Sequence, residues 1–236
     1  MTQISNHIYC ADFLTSLDIE TKLLANPYYD YPFLIIEKFL SNEECIAINN
    51  KVKADDDYEK AQIKTLDTVV LSETNEDIRK TNIYTLDENY LDIYTKRFLS
   101  HQAEIEDYFK IALTTSTEVQ VLEYLKGSFY SIHSDDSSML FKDGKLVGFI
   151  PVAKQRRISS VLFTTNYDKI PSDNSFNGGE LLFNYLFDKN GKKVKIKPKA
   201  GDMIIFLSNP YFTHEVLKVK EGRRITLVQW HNALIN

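Results

Sequence analysis

The sequence predicts an α+β fold, helices first and then an all-β core of the sandwich or jelly-roll kind. Three observations carry this. Apolar residues recur at helical spacing in the first half of the chain. After Thr115 the pattern changes to about eight short strand-like runs separated by turn signals. No Pro/Gly/Ser-rich linker divides the 236 residues, so one domain is expected over 1–236. Within it, 1–115 reads as mainly helical support and 116–236 as the core that carries the site.

The first thirty residues are weakly patterned, with one short helix expected around 13–24. YPFLIIEKFL, residues 31–40, reads as a strand. It ends in Ser41-Asn42-Glu43-Glu44, where a Ser at N-cap and a Glu three positions on form a capping box. Cys45, Ile48 and Val52 follow at helical spacing and set a buried face. Residues 53–78 are polar and acidic and read as loop. A second helix is expected over 88–112, with Leu91, Tyr94, Phe98, Ile105 and Tyr108 as its apolar stripe and His101 packed among them. Strands are expected near 118–125, 128–134, 157–166, 179–186, 193–197, 202–207, 213–219 and 223–230. Lys126-Gly127, Asp143-Gly144, Asn177-Gly178-Gly179, Asn190-Gly191 and Ala200-Gly201 mark turns.

Composition removes several function classes. The net charge of −5 argues against a general nucleic-acid binder. Cys10 and Cys45 form neither a disulfide framework nor a CxxC pair, which fits a reducing, cytoplasmic setting. The start, MTQISNHIYCADF, has no basic n-region and no apolar h-region, so no signal peptide is expected. No apolar run approaches the ~18–20 residues of a membrane span.

The chemistry concentrates in YLKGSFYSIHSDD, residues 124–136. His133 and Asp135 are two positions apart, so on a strand they share a face. Their Cα atoms then lie roughly 6.5–7 Å apart, close enough for both side chains to reach one cation. His214, opening a later strand, is the best third ligand. Two imidazoles and a carboxylate with open positions favour non-haem Fe(II), although zinc accepts the same groups. Downstream, GRRITLVQW places Arg224, Thr226, Val228 and Trp230 on one face. An arginine beside a hydroxyl makes a carboxylate clamp, and Trp230 an apolar wall. A chelating 2-oxo acid with a far carboxylate, 2-oxoglutarate, satisfies both metal and clamp.

With these residues in place the chain resembles the prolyl-4-hydroxylase-type Fe(II)/2-oxoglutarate dioxygenases. The resemblance begins at YPFLIIEKFLSNEEC, is strongest at Y-x-x-G-x-x-Y-x-x-H-x-D, and continues through GGELLF and KPKAGDMIIF. It ends in HEVLKVKEGRRITLVQW, where a basic residue stands ten positions after the histidine. It implies a double-stranded β-helix core, with His133, Asp135 and His214 as iron ligands. Arg224, helped by Thr226, would pair with the far carboxylate of 2-oxoglutarate. Tyr124 would line the cosubstrate pocket, Tyr130 would lie nearer the substrate opening, and Thr164 would line the pocket. The implied reaction is hydroxylation of an amino-acid side chain, in a protein or peptide (a prolyl residue among others) or in a free amino acid. It consumes O2 and 2-oxoglutarate and yields succinate and CO2, with ascorbate a candidate reductant.

Other readings compete with these. The same fold hosts nucleic-acid demethylases, which predicts a basic face around the pocket, and catalytically silent binding modules, which need not keep all four of His133, Asp135, His214 and Arg224. The lysines of 192–199 could form a nucleic-acid patch, but read better as an exposed hairpin or edge strand whose charge blocks sheet-to-sheet association. Asp136 reads as a solvated or loop-capping residue, His231 as outside the site, Glu180 as a strand-edge surface charge, and Arg156 and Arg157 as surface ion-pair residues. His7 has no context. The segment 137–157 reads as a hairpin or lid over the opening, with Phe141 and Phe149 supplying apolar contacts.

Overall fold

The computed structural model describes residues 1–17, 19, 29–61 and 78–235. Two antiparallel sheets form a jelly roll. Among the described residues the larger has eight strands. Their order is Leu34–Ile36, Met203–Leu207, Ile158–Phe163, Arg224–Ile235, Gln120–Tyr124, Asn82–Thr85 and Glu59–Lys60, with Ile111–Ser116 also paired to Arg224–Ile235. The smaller has seven. Thr2–Gln3, Ile8–Cys10, Leu181–Asp188, His214–Val216, Phe129–His133 and Arg79–Lys80 lie side by side, and Lys193–Ile196 branches from Leu181–Asp188. Neighbouring strands come from distant parts of the chain, which is how His133 and His214 become neighbours.

Burial follows position in the sheet. Ile158–Phe163 and Met203–Leu207, central in the larger sheet, are buried at every residue. Helices cover one face of that sheet. Phe98 of helix Glu88–Phe109 stacks on His231, 4.4 Å between ring centroids. The Tyr94 hydroxyl lies 3.2 Å from Ser160 Oγ. Residues of the other parity, such as Val228 and Trp230, therefore face the interior of the roll.

Helix Asn42–Ala54 starts with the expected capping box. Ser41 Oγ accepts from the Glu44 N–H at 3.2 Å, and Glu44 Oε2 accepts from the Ser41 N–H at 2.8 Å. Cys45, Ile48 and Val52 are buried. Glu44 also accepts two bonds from Arg97, at 2.6 and 2.7 Å, which ties this helix to Glu88–Phe109. That pairing holds the Glu44 carboxyl below its ordinary range. The turn at Ala200-Gly201 needs glycine: φ is +92°, and a Cβ there would stand 2.3 Å from the Leu40 carbonyl oxygen.

Several expectations change. The helix around 13–24 is short, Asp12–Ser16, because Thr15 and Ser16 hydroxyls bond back to the carbonyls three residues earlier. Of its remainder, only Leu17 and Ile19 are among the described residues. The strand at 31–40 narrows to Leu34–Ile36, ending where Lys38 turns through φ +54° and its N–H donates to Asp202. Residues 62–77 of the expected loop lie outside the described residues, while Glu59–Lys60 and Arg79–Lys80 are strands. The segment 1–115 supplies strands to both sheets as well as helices. His101 is not in the core: it is one-third exposed and faces Glu104 at 2.9 Å. Leu91 is also exposed. The strand at 213–219 splits into His214–Val216 and Val219–Gly222, which join different sheets. Residues 137–151 form a separate two-stranded hairpin, Ser137–Lys142 with Lys145–Pro151.

Candidate active site

Strand register sets His133 directly across from His214 in the smaller sheet. Asp135 follows in the bend after the strand. The ligand-type atoms of the three side chains lie within 4.8 Å of one another. His133 Nε2 is 3.7 Å from Asp135 Oδ1. Each imidazole Nδ1 lies 2.8 Å from a backbone carbonyl, that of Ser131 for His133 and that of Phe212 for His214. A carbonyl only accepts, so Nδ1 carries the hydrogen and Nε2 presents its lone pair to the cluster. Ser159 Oγ donates to Asp135 Oδ2 at 2.6 Å, which leaves Oδ1 for the histidine side.

Electrostatics match this donor set. Burial, with His214 acting the same way, pushes the His133 imidazole well below its ordinary range, which favours the neutral, lone-pair-bearing form. Burial alone would raise the Asp135 carboxyl. His214, His133 and the Ser159 bond together outweigh it and hold the group below the ordinary carboxylate range. Two imidazole lone pairs and one carboxylate, all converging from one side, fit a first-row divalent cation with open positions.

The cluster borders a cavity of about 500 Å³ between the sheets. Arg224, Thr226, Val228 and Trp230 all line it, as the period of two requires. Gln120, Leu122 and Tyr124 line it from the adjacent strand. Arg224 is 2% exposed, yet its Nε has no hydrogen-bond partner. Its Nη1 donates to Thr226 Oγ1 at 3.4 Å, and its guanidinium lies 4.8 Å from the Tyr124 ring centroid. Burial lowers its pKa, the sign of a cation without a counter-charge. A guanidinium buried in that state costs several kcal/mol unless an anion meets it. Room for its stem depends on Gly179, at φ +63°, where a Cβ would fall 3.2 Å from Arg224 Cδ.

Tyr130 faces the cavity despite its odd spacing from His133. The register steps from His214↔His133 to Val216↔Tyr130, two residues against three, so a β-bulge on the His133 strand reverses the parity. The Tyr130 ring stacks on His133 with centroids 3.6 Å apart. Thr164 does not line the cavity; its Oγ1 donates to the Ile225 carbonyl at 3.1 Å. Asp136 is half-buried. It accepts from Ser134 at 3.1 Å, and burial pushes its carboxyl up to about 6. His231 lies on the opposite face, outside the cavity. Glu180 is not a surface charge but 8% exposed, 3.9 Å from Lys195. His7 is exposed, 3.6 Å from Asp30.

Arg156 corrects a surface expectation. Its guanidinium lies 3.9 Å from the Trp230 ring centroid and its Nη1 donates to the Asp135 carbonyl at 3.4 Å, so it lines the cavity, whereas Arg157 is exposed. Sequence reasoning missed Arg79 and Ser159. Nothing near Arg79 in the chain signals a site, and Ser159 looks like any small strand residue. Both reach the site only through strand pairing.

The 2OG-Fe(II) oxygenase superfamily pattern matches residues 119–232. Solved structures share the fold. A Trichoplax adhaerens prolyl hydroxylase, in complex with a hypoxia inducible factor oxygen degradation domain peptide, superposes with TM-score 0.63 at 18% identity, covering 85% of this chain and 83% of its own. The collagen prolyl hydroxylase of Paramecium Bursaria Chlorella virus-1, in its 2OG complex, gives 0.56 at 21%, covering 86% and 96%. A Pseudomonas putida prolyl-4-hydroxylase gives 0.54 at 22%, covering 85% and 91%. No curated protein sequence matches the chain.

Proposed function

We propose that this chain, whose residues 119–232 match the 2OG-Fe(II) oxygenase superfamily, is such an oxygenase, with His133, Asp135 and His214 holding the iron and Arg224 receiving the far carboxylate of 2-oxoglutarate. The chain is an Fe(II)- and 2-oxoglutarate-dependent hydroxylase. One observation carries the residue assignment. A metal-type donor cluster and a buried guanidinium with an unpartnered nitrogen line the same cavity.

When bound, Fe(II), 2-oxoglutarate and O2 supply the oxidising chemistry that hydroxylates a C–H bond and releases succinate and CO2. The chain's own part is positioning. Backbone carbonyls of Ser131 and Phe212 fix both imidazole tautomers, and Ser159 fixes the Asp135 rotamer. Arg224 and Thr226 give the cosubstrate carboxylate a planar fork and a hydroxyl, with Tyr124 packed beneath the guanidinium. Tyr130 and Trp230 wall the region beside the cluster and exclude water from it. No side chain has to act as a general base.

The substrate we assign is an amino-acid side chain, within a peptide segment in preference to a free amino acid. The hairpin Ser137–Lys142 and Lys145–Pro151 supports this choice. Met139 and Phe141 line the cavity, and Phe141 is exposed there. An apolar ledge at a cavity mouth suits a chain longer than one residue. The lysines of 192–199 do not line the cavity, so that basic run gives no support to a nucleic-acid substrate.

The test is spectroscopic. Fe(II) and 2-oxoglutarate added without oxygen should give a weak visible charge-transfer band, and admitting oxygen should yield succinate. Mass spectrometry across candidate peptides and amino acids then reads the added oxygen. No band and no succinate would remove the assignment.

A further inference from the structure

Besides Arg224, two more guanidiniums line the cavity, and the cosubstrate accounts for neither. Arg79 is 7% exposed, and its Nε has no hydrogen-bond partner. Its strand pairs with the His133 strand, Arg79 opposite Tyr130, and its guanidinium lies 4.5 Å from the Tyr130 ring centroid. Arg156 lies over Trp230. Trp230 Nε1, buried, is likewise unpartnered. Among the described residues the arginines that hold carboxylates are Arg97, with Glu44, and Arg223, with Glu123; Arg79, Arg156 and Arg224 hold none.

Charge balance sharpens the point. Asp135, a divalent cation, doubly charged 2-oxoglutarate and Arg224 neutralise one another. Glu59 and Lys60 also line the cavity and offset each other, so Arg79 and Arg156 remain, both within electrostatic reach of the Tyr130 phenol. In a cavity of low dielectric, two unmatched guanidiniums repel each other and the metal. Both are fixed by stacking on aromatic rings, so neither swings freely to solvent, and a planar fork held this way is preorganised for an anion.

We propose that the substrate carries a carboxylate, received by Arg79 and Arg156 between the Tyr130 and Trp230 rings next to the ligand cluster. This rests on the iron and cosubstrate assignment above and names the substrate class for that same site. In the peptide substrate preferred above the carboxylate is an acidic side chain; the α-carboxylate of a free amino acid is the other source, and the titration below separates the two. Either would hold the neighbouring carbon chain against the cluster while Trp230 covers its apolar part.

The chain has a single tryptophan, Trp230, so its fluorescence reports the site directly. The protein is loaded with Mn(II) and N-oxalylglycine, an unreactive 2-oxoglutarate analogue, which occupies Arg224. Two matched pairs are then titrated: L-proline against L-prolinamide, and N-acetyl-L-glutamate α-amide against N-acetyl-L-glutamine α-amide. The carboxylate member of one pair should bind about tenfold tighter than its amide, and the responding pair identifies the source. Arg156→Gln and Arg79→Gln should each abolish the preference. Equal binding within both pairs overturns the proposal, and so does a preference that survives both substitutions. The wild-type comparison stands even if Arg79→Gln folds poorly. Failure of the iron assignment would show separately, as no N-oxalylglycine uptake with metal, and leaves the paired titration readable.

Discussion

Two buried polar regions lie on opposite faces of the strand Arg224–Ile235, and they are built oppositely. On the helix side, His231 is fully enclosed and satisfied. Its Nδ1 lies 2.7 Å from Ser116 Oγ, its Nε2 lies 2.9 Å from Ser160 Oγ, and Phe98 stacks on its ring. On the cavity side, Arg224 Nε, Trp230 Nε1 and Arg79 Nε have no partner. Folding stabilises the first arrangement directly, since each buried polar atom regains a bond. The second costs stability, and here the unpartnered atoms cluster around one cavity, where a bound ligand would recover the lost bonds. A histidine alone therefore says little; its surroundings separate a structural residue from a functional one.

The largest effect that would break this contrast is on the cavity side. His133→Ala should abolish the Fe(II)–2-oxoglutarate band and succinate formation, because two donors no longer hold the metal. A variant with a normal band would end the reading. Arg224→Ala should keep the metal but raise the 2-oxoglutarate requirement about 100-fold, as loss of a buried charge-assisted pair implies. Saturation curves of succinate release check it.

The helix side should answer in stability instead. His231→Ala empties a packed site and leaves Ser116 without its partner, costing about 3 kcal/mol in denaturant unfolding, with the cosubstrate requirement unchanged. Burial also pushes the His231 pKa down to about 3. Between there and the unfolded value of about 6.5, the unfolded chain binds the extra proton, so stability falls as pH falls through that window. From pH 7 to pH 5 the wild type should lose about 2 kcal/mol more than His231→Gln. Parallel unfolding curves at both pH values decide this. The smallest expected change is Ser159→Ala, which frees the Asp135 rotamer and should weaken Mn(II) binding about tenfold.

Much of the site was legible in the sequence, for reasons of local geometry. Spacing by two put Arg224, Thr226, Val228 and Trp230 on one face, and all four line the cavity. The capping box at Ser41 is equally local. Parity failed at Tyr130, because a bulge is a property of two strands and leaves no trace in one. His101 satisfied the helical period yet sits at the rim, since period sets the face of a helix and not how far its cover extends. Arg156 and Glu180 were misread as surface charges, because a charged residue type gives no sign of an aromatic ring or lysine supplied from elsewhere.

The sequence by itself determined the alternation of strands, the helix start at Ser41, and the His133–Asp135 pair, all set by interactions within a few residues. Only the tertiary structure decided that His214 lies across from His133, that Ser159 fixes Asp135, and that Arg79 and Arg156 flank the cavity. Those contacts join strands far apart in the chain. Their register follows from burying whole sheet faces at once, a condition no single segment carries.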